Sequence, residues 1–350
     1  MNLVPPDYAG GSIVNLAASL LQAFGIQPPN PPCRPERMPP EMLADAPGVV
    51  LLVCDALGQS QLARVLASGR APNLERLVAQ APGGVRTLTS VFPSTTTSAL
   101  PSLCTALTPA QHGMLGMRQW LEEIGALGDM LRFCTVAERA QPIDPALIRS
   151  GPTLYEQLSA RGIAAVAISA SQHQGTGFTD LLHEGAQYLG YEGQSEIPYL
   201  LQTSLNRRRG QRSFHYVYWH LVDTLSHNYG PQSEPCALEM EFVDLMLGKI
   251  MDCCARAGHT LLLTADHGQI ALDPARALVQ KVGEAGAFVG FGADGDSGDA
   301  AGAQLLVEVG AVADQGRKMA IEQGQQQGLD VRAIDVGVGH DDQLAVAQIG

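Results

Sequence analysis

Aspartate and histidine residues follow three apolar stretches of this sequence, each of which has the composition of a buried strand. The stretch at 49–54 is followed by Asp55, and the stretches at 214–221 and 259–264 are followed by an Asp-x-x-x-His and an Asp-His sequence. Carboxylate and imidazole groups together are the ligands that proteins use for Zn²⁺ or Mn²⁺. Their number favours two ions over one. The candidate ligands are Asp55, Asp223, His227, Asp266 and His267.

The fold class predicts that these residues meet. Strand patterns alternate with helical patterns along the chain, which indicates an α/β unit with a mostly parallel sheet covered on both faces. In such sheets, ligands bind beyond the carboxyl ends of the strands. One such residue alone is more often a helix cap or part of a turn, but three strands that end in this way favour a shared site. The strand patterns span 48–54, 84–91, 163–169, 214–221 and 259–264, and the helical patterns span 58–68, 72–80, 97–106, 152–161 and 235–257.

A further segment, 90–102, is dense in hydroxyl side chains and lies between a predicted strand and a predicted helix. A hydroxyl group at a helix N-terminus lies near free backbone N–H groups and the positive end of the helix dipole, which favour an anionic phosphoryl group. A divalent ion beside that hydroxyl would lower its pKa and make it a nucleophile. The alternative is a Ser/Thr-rich capping turn without a chemical role.

The order of these segments resembles the type I phosphodiesterase/nucleotide pyrophosphatase family of the alkaline phosphatase superfamily, and its bacterial branch in particular. The resemblance covers residues 1 to about 275. It rests on Asp55, on FPSTTTSALPSLCTALTPAQHGMLG at 92–116, on DTLSH at 223–227 and on TADHGQ at 264–269. It implies an alkaline-phosphatase-like three-layer sandwich with a mostly parallel central sheet.

The resemblance also implies how the chain is divided. Residues 1–47 are expected to form an N-terminal lead-in that packs on the core, and residues 48–350 to form the catalytic domain. The tail at 275–350 is atypical, because no Pro, Thr, Asn, Tyr, Trp or Cys occurs after Pro274. Our hypothesis is that part of this tail is strongly diverged or translated outside the ancestral reading frame.

The family places its nucleophile three residues after the proline of a Phe-Pro pair, and here that residue is Thr96. The resemblance therefore implies that Thr96 attacks phosphorus and becomes phosphorylated. Eukaryotic members carry an Asn three residues further on, where this chain has Ala99, so one side-chain donor to the phosphoryl group is missing.

The same resemblance implies that the chain binds two divalent metal ions, with Zn²⁺ favoured and Mn²⁺ as the alternative. One ion would be bound by four residues from three segments and the other by three, including a distal histidine near the C-terminus. The first set is Asp55, Thr96, Asp266 and His267, and the second is Asp223, His227 and His340.

The sequence thus predicts a metal-dependent hydrolase of phosphodiester or pyrophosphate bonds in small molecules, which acts through a phospho-threonine intermediate. Two alternatives stay open: an esterase for phosphomonoesters, phosphonates or sulfates, and a weakly active or inactive metal-binding homologue with a damaged second metal site. The segment 33–37 matches the C-x-P-x-R pattern of sulfatases, but it precedes Asp55 rather than following it, so we interpret the match as coincidence.

Composition limits the partners of this protein. The chain has 22 Lys and Arg residues against 35 Asp and Glu residues, a net charge of −13, which argues against binding to nucleic acids or anionic membranes. No apolar run has the length of a membrane helix, and no Lys or Arg precedes Arg34 as a signal peptide would require. The seven cysteines lack C-x-x-C spacing and fit reduced thiols. We therefore expect a cytoplasmic protein.

Overall fold

The computed structural model describes residues 4–43, 46–137, 139–148 and 150–271, and beyond them the backbone of four strands. In chain order, the strands are β1 (Gly48–Cys54), β2 (Arg86–Thr89), β3 (Arg118–Leu121), β4 (Ala126–Asp129), β5 (Cys134–Thr135), β6 (Ala164–Ala170), β7 (Gln187–Tyr191), β8 (Ser213–Trp219), β9 (Thr260–Thr264), β10 (Val289–Phe291), β11 (Ala303–Val307), β12 (Gly337–Val338) and β13 (Gln343–Ile349).

The helices lie between these strands, as the alternating pattern predicted. They are α1 (Ile13–Ala23), α2 (Gln59–Ala67), α3 (Pro72–Gln80), α4 (Thr96–Thr105), α5 (Pro109–His112), α6 (Leu154–Ser159), α7 (Gly177–Leu182), α8 (Ile197–Arg207), α9 (Leu221–Tyr229) and α10 (Glu234–Ala257).

A seven-stranded sheet with the order β2-β13-β9-β1-β8-β6-β7 forms the centre of the molecule. The strands from β9 to β7 all run parallel, while β13 runs antiparallel to both of its neighbours. Strands β1, β8 and β9 are buried along their whole length, since their continuous apolar sequences are covered on both faces. The prediction of a mostly parallel sheet in an α/β fold is confirmed.

The register of the three central strands brings their carboxyl ends together. Cys54 pairs with Trp219 of β8, and Val53 pairs with Thr264 of β9. Residues that follow these strands therefore emerge at one edge of the sheet, which we call the carboxyl edge.

Helix α1 connects the N-terminal part of the chain to the element that carries Thr96. Most of its residues are buried in the common hydrophobic core, and it packs against α4. The buried Asn15 side chain accepts a hydrogen bond from the Ser12 backbone and donates to the carbonyl groups of Tyr8 and Pro31. These bonds satisfy a polar group inside the core and hold the flanking segments against α1.

Strands β3, β4 and β5 form a separate antiparallel sheet, which we call the small sheet. In the part of the chain that the structure describes, none of the helices combines the length and apolar character needed to cross a membrane.

Because two histidines are buried, we expect the folded protein to lose stability in mild acid. His112 Nε2 lies 3.0 Å from Ser102 Oγ, and His215 Nε2 lies 2.9 Å from Ser204 Oγ. Burial lowers the pKa of His112 to about 4 and that of His215 to about 3, from an ordinary value of 6.5. Below pH 6.5 the unfolded chain therefore binds protons that the folded chain does not, and the free energy of unfolding falls as the pH falls.

Urea denaturation at pH 7.5, 6 and 5 measures this effect. Each histidine is expected to lower the free energy of unfolding by up to about 1.4 kcal/mol per pH unit between pH 6.5 and its folded-state pKa. The His215→Gln variant should show a shallower dependence than the wild-type chain. A wild-type stability that stays constant from pH 7.5 to pH 5 would contradict the assignment of neutral buried histidines.

Candidate active site

The carboxyl edge of the sheet carries the residues that the sequence singled out. Asp55 follows β1 directly, and Asp266 and His267 come two and three residues after the end of β9. Asp55 is 3 % exposed, Asp266 is completely buried and His267 is 6 % exposed. One atom from each of these three side chains lies within 4.8 Å of the others, so they form a compact group that could hold one ion.

The Nε2 atom of His267 lies at the centre of this group. It lies 3.3 Å from Asp55 Oδ1 and 3.6 Å from Asp266 Oδ2. Thr96 Oγ1 lies 3.2 Å away from the same nitrogen. The other ring nitrogen, Nδ1, lies 3.1 Å from the carbonyl oxygen of Gly268, to which it can donate a hydrogen bond. In that tautomer the lone pair of Nε2 faces the two carboxylates, which is the form that binds a metal ion.

The oxygen atoms in this group support the same interpretation. Among the described residues, Asp55 Oδ1 and Asp266 Oδ2 are buried and lack a hydrogen-bond donor, although both lie near His267. Asp266 uses its other oxygen to accept hydrogen bonds from the backbone N–H groups of Ala56 and His267. Two buried carboxylate oxygens without donors are costly unless a cation lies between them. The donor set therefore fits a divalent ion.

The pKa values reflect this crowding of charge. Burial, together with the charges of Asp266 and Asp223, raises the pKa of Asp55 well above its ordinary value. Burial alone would lower the pKa of His267, but the charges of Asp266 and Asp223 raise it above its ordinary value. In the absence of a cation, protons would have to supply the missing positive charge.

Thr96 is the first residue of α4, with Thr95 at the N-cap position. Its hydroxyl group therefore lies at a helix N-terminus, next to N–H groups that have no partner within the helix. Position 99, one turn further along, is completely buried in the hydrophobic core. Ala99 therefore contributes no donor to the site, as the sequence indicated.

A second group of residues lies at the same edge. Asp223 Oδ1 lies 3.4 Å from His227 Nε2, and the same oxygen accepts a hydrogen bond from the side-chain amide of Gln269. Although burial raises the pKa of Asp223, the hydrogen bond with His227 and the charge of His267 hold it below its ordinary value. His340, the predicted third ligand of this group, lies outside the described residues.

The prediction of a strand over 214–221 was wrong at its C-terminal end. Strand β8 stops at Trp219, and α9 begins at Leu221, so Asp223 lies in the first turn of a helix. His227 follows one helical turn later. Residues four apart on a helix lie on the same face, which is why Asp223 and His227 meet.

Two residues that support the site were missed at the sequence level. Tyr218, the penultimate residue of β8, donates a hydrogen bond to Asp55 Oδ2. This bond leaves Oδ1 of Asp55 facing His267. Gln269 fixes Asp223 in the same way. For Tyr218, the only signal available was its place near the C-terminal end of a predicted strand. That signal is weak, because apolar strands often contain tyrosine for packing alone.

A cavity of about 1110 Å³ opens above these residues. Asp55, Thr96, Asp223, His227 and His267 line it, while Asp266 lies beneath them. The cavity is much larger than a phosphoryl group. The small sheet contributes lining residues on one side and the β6–α7 and β8–α9 connections contribute them on another; these include Arg118, Arg132, His173 and His220.

The family model of type I phosphodiesterase/nucleotide pyrophosphatase matches residues 49–327. The chain belongs to this family. The match begins later than the resemblance did and continues past Pro274 to residue 327. No curated protein sequence matches the chain at a significant level.

Solved structures share the fold at low sequence identity. Human ectonucleotide pyrophosphatase/phosphodiesterase 5 aligns with a TM-score of 0.56 and 15 % identity, over 86 % of this chain and 87 % of its own. An inactive variant of the murine protein in complex with AMP aligns with a TM-score of 0.53 and 15 % identity, over 85 % of this chain and 78 % of its own. Phosphonoacetate hydrolase from Sinorhizobium meliloti 1021 in complex with phosphonoacetate aligns with a TM-score of 0.51 and 15 % identity, over 86 % of this chain and 89 % of its own. The chain thus has an alkaline-phosphatase-like α/β fold.

Replacing Tyr218 with phenylalanine tests how the candidate metal site is supported. The variant loses the donor to Asp55 Oδ2 but keeps the buried ring, so we expect metal affinity to fall by about 10- to 100-fold with little change in the unfolding midpoint. Isothermal titration of the metal-free protein with Zn²⁺ measures the affinity. Tyr216→Phe is the matched control, because the buried Tyr216 hydroxyl has no hydrogen-bond partner among the described residues. Equal affinities of the two variants would contradict this role of Tyr218.

Proposed function

We propose that this protein is a metal-dependent hydrolase of phosphodiester or pyrophosphate bonds in small molecules, with Thr96 as its nucleophile. One observation carries the proposal: Thr96 Oγ1, at a helix N-terminus, lies 3.2 Å from the same His267 nitrogen that faces Asp55 and Asp266. A hydroxyl group beside a cation site and beside free backbone N–H groups is suited to attack an anionic phosphoryl group.

The chain's own groups define a two-step reaction. In the first step, the Thr96 oxygen forms a bond to phosphorus and its proton passes to water, while the bond between phosphorus and the leaving oxygen breaks and the leaving group departs with the electron pair of that bond. The N-terminus of α4 binds the charged phosphoryl oxygens. In the second step, water attacks phosphorus and releases Thr96. Bound divalent ions would stabilise the charge that develops on the attacking and leaving oxygens.

We assign two ions to the site, Zn²⁺ or Mn²⁺. The first would be held by Asp55, Thr96, Asp266 and His267, whose donor atoms converge as described. The second would be held by Asp223, His227 and His340. In support, β13 begins at Gln343, which pairs with Thr89 at the carboxyl edge, three residues after His340 in sequence.

The size of the cavity supports a diester or pyrophosphate rather than a small monoester, because a substrate with two substituents fills more of the 1110 Å³. A sulfatase is not supported by the segment 33–37. Cys33 is buried, and burial raises the pKa of its thiol to about 12, so it is an unreactive part of the core. We also propose a cytoplasmic location, because all seven cysteines are free thiols.

Metal content and substrate preference test the proposal together. The protein is first freed of metal with a chelator and then titrated with Zn²⁺ or Mn²⁺. Turnover is measured with bis(p-nitrophenyl) phosphate, p-nitrophenyl phosphate and phosphonoacetate. We expect two equivalents of metal and a higher kcat/KM for the diester than for the other two compounds. A preference for the monoester or the phosphonate would favour the alternative esterase. One equivalent or none, without turnover, would favour an inactive metal-binding homologue.

A further inference from the structure

The outer face of α10 carries a line of large apolar side chains that remain exposed. Leu238, Phe242 and Leu245 are 46 %, 61 % and 51 % exposed. Their spacing of four and three residues places them on one side of the helix. The opposite side of α10 is buried against α3, α8, α9 and β9. We call the exposed line the α10 stripe. Single exposed apolar residues are normal on proteins, but three in a row along a helix indicate an interface.

The α10 stripe has the spacing of a helix-pairing seam. From Leu238 to the exposed Lys249 the spacing alternates as four, three and four residues, and the exposed Glu234 lies a further four residues before Leu238. At one end of the stripe, Arg70 forms ion pairs with both Glu234 and Glu241, which leaves one negative charge in excess, and Lys249 lies at the other end. This alternation is the heptad pattern by which two helices pack side by side along their length.

We propose that this face binds a second copy of the chain, with two α10 helices packed antiparallel about a twofold axis near Phe242. In this register Phe242 faces its own counterpart in the second copy. Leu238 of each copy then lies within one residue of the level of Leu245 of the other, and Glu234 lies within one residue of the level of Lys249. The stripe is thus complementary to itself in both the order of its apolar side chains and its charges, as a twofold interface requires.

The charges favour the antiparallel over the parallel arrangement. Two parallel α10 helices would place Glu234 beside Glu234 and Lys249 beside Lys249, which is repulsive at both ends. The antiparallel arrangement pairs opposite charges and also opposes the two helix dipoles. A partner of different sequence would need its own matching pattern, whereas a second copy supplies it by symmetry.

The neighbouring helices can widen the contact. Tyr229 at the end of α9 is 63 % exposed and Tyr199 on α8 is 71 % exposed, and both helices pack against α10. A helix of 24 residues is about 36 Å long. Pairing along much of that length, together with flanking contacts from α8 and α9, can reach the roughly 800 Å² per partner of a standard interface.

Sedimentation equilibrium of the full chain tests the proposal. We expect a dimer with a dissociation constant in about the micromolar range or below. Phe242→Asp and Leu245→Asp should each raise that constant by at least about 100-fold, because each buries a charge twice in the symmetric contact. Ile124→Asp is the matched control: Ile124 is 40 % exposed, lies between β3 and β4, and should leave the dimer unchanged.

A charge exchange tests the register. Lys249→Glu should weaken the dimer by about tenfold, and adding Glu234→Lys to it should restore the affinity. A wild-type chain that stays monomeric at about 100 µM overturns the proposal. So does a dimer that both aspartate variants leave intact. Turnover per chain should be the same in Phe242→Asp and in the wild type, so a failure of the proposed hydrolysis and a failure of the dimer can be distinguished.

Discussion

Replacing Thr96 with alanine should lower turnover of a chromogenic phosphodiester by at least about 10³-fold, because the variant lacks the hydroxyl group that forms the covalent bond to phosphorus. Thr96 lies at the surface of the cavity and at the start of a helix, so the variant should fold normally. It should also keep most of its affinity for metal, since Asp55, Asp266 and His267 remain. Steady-state kinetics and metal titration of the same preparation measure both effects.

Two control variants make this result specific. Thr96→Ser keeps a hydroxyl group and should retain measurable turnover. Thr97→Ala removes the adjacent hydroxyl, which is completely buried and has no hydrogen-bond partner among the described residues, so its activity should stay near that of the wild type. If Thr96→Ala retains wild-type activity, the nucleophile has been assigned to the wrong residue.

Replacing Asp266 with asparagine should separate metal binding from stability. The amide oxygen can still accept hydrogen bonds from the backbone of Ala56 and His267, while the amide nitrogen takes the place of Oδ2 and can donate to Asp55. The metal-free variant should therefore be more stable than the metal-free wild type, by about 1–3 kcal/mol, because one buried oxygen is replaced by a donor, the other gains a hydrogen bond from it, and one charge is removed. Metal affinity should fall by at least about 100-fold, and turnover with it.

Thermal unfolding with and without Zn²⁺ measures this separation. The wild type should be stabilised strongly by the metal and the variant hardly at all. Asp244→Asn is the matched control: this buried carboxylate accepts hydrogen bonds from Asn73 and from the backbone of Leu74, and it is not part of the cavity lining. It should lose stability and keep metal affinity. A metal-free Asp266→Asn protein that is less stable than the metal-free wild type would show that the carboxylates of Asp55 and Asp266 do not repel each other.

The central sheet and the residues at its carboxyl edge were predictable because they leave local patterns. A strand buried on both faces is a continuous apolar run, and β1 was predicted with its observed limits, Gly48–Cys54. Helix α10 was predicted to within one residue, since its proline near the start and Gly258 after its end are strong boundary signals. Once the order of parallel strands is fixed, three strand ends must emerge together.

Features that depend on contacts between distant segments could not be predicted in this way. The hydrogen bond from Tyr218 to Asp55 joins residues that are adjacent only because β1 and β8 are neighbours in register. The start of α9 at Leu221 depends on where β8 leaves the sheet. The position of β13 between β2 and β9 was not predicted either, because its antiparallel pairing joins segments far apart in the sequence.

The place of β13 in the sheet has a consequence for the order in which the site assembles. Strands β1, β8 and β9 can pair as soon as the chain up to Thr264 is available. Asp55, Asp223 and Asp266 follow these strands in sequence. Strand β2, which leads into the segment with Thr96, is joined to them in the sheet through residues 343–349. Closing so long a loop is slow compared with local pairing. We therefore expect refolding chains to gain affinity for metal ions before they gain the ability to turn over substrate, and stopped-flow refolding with a metal indicator and a chromogenic diester would record the two events separately.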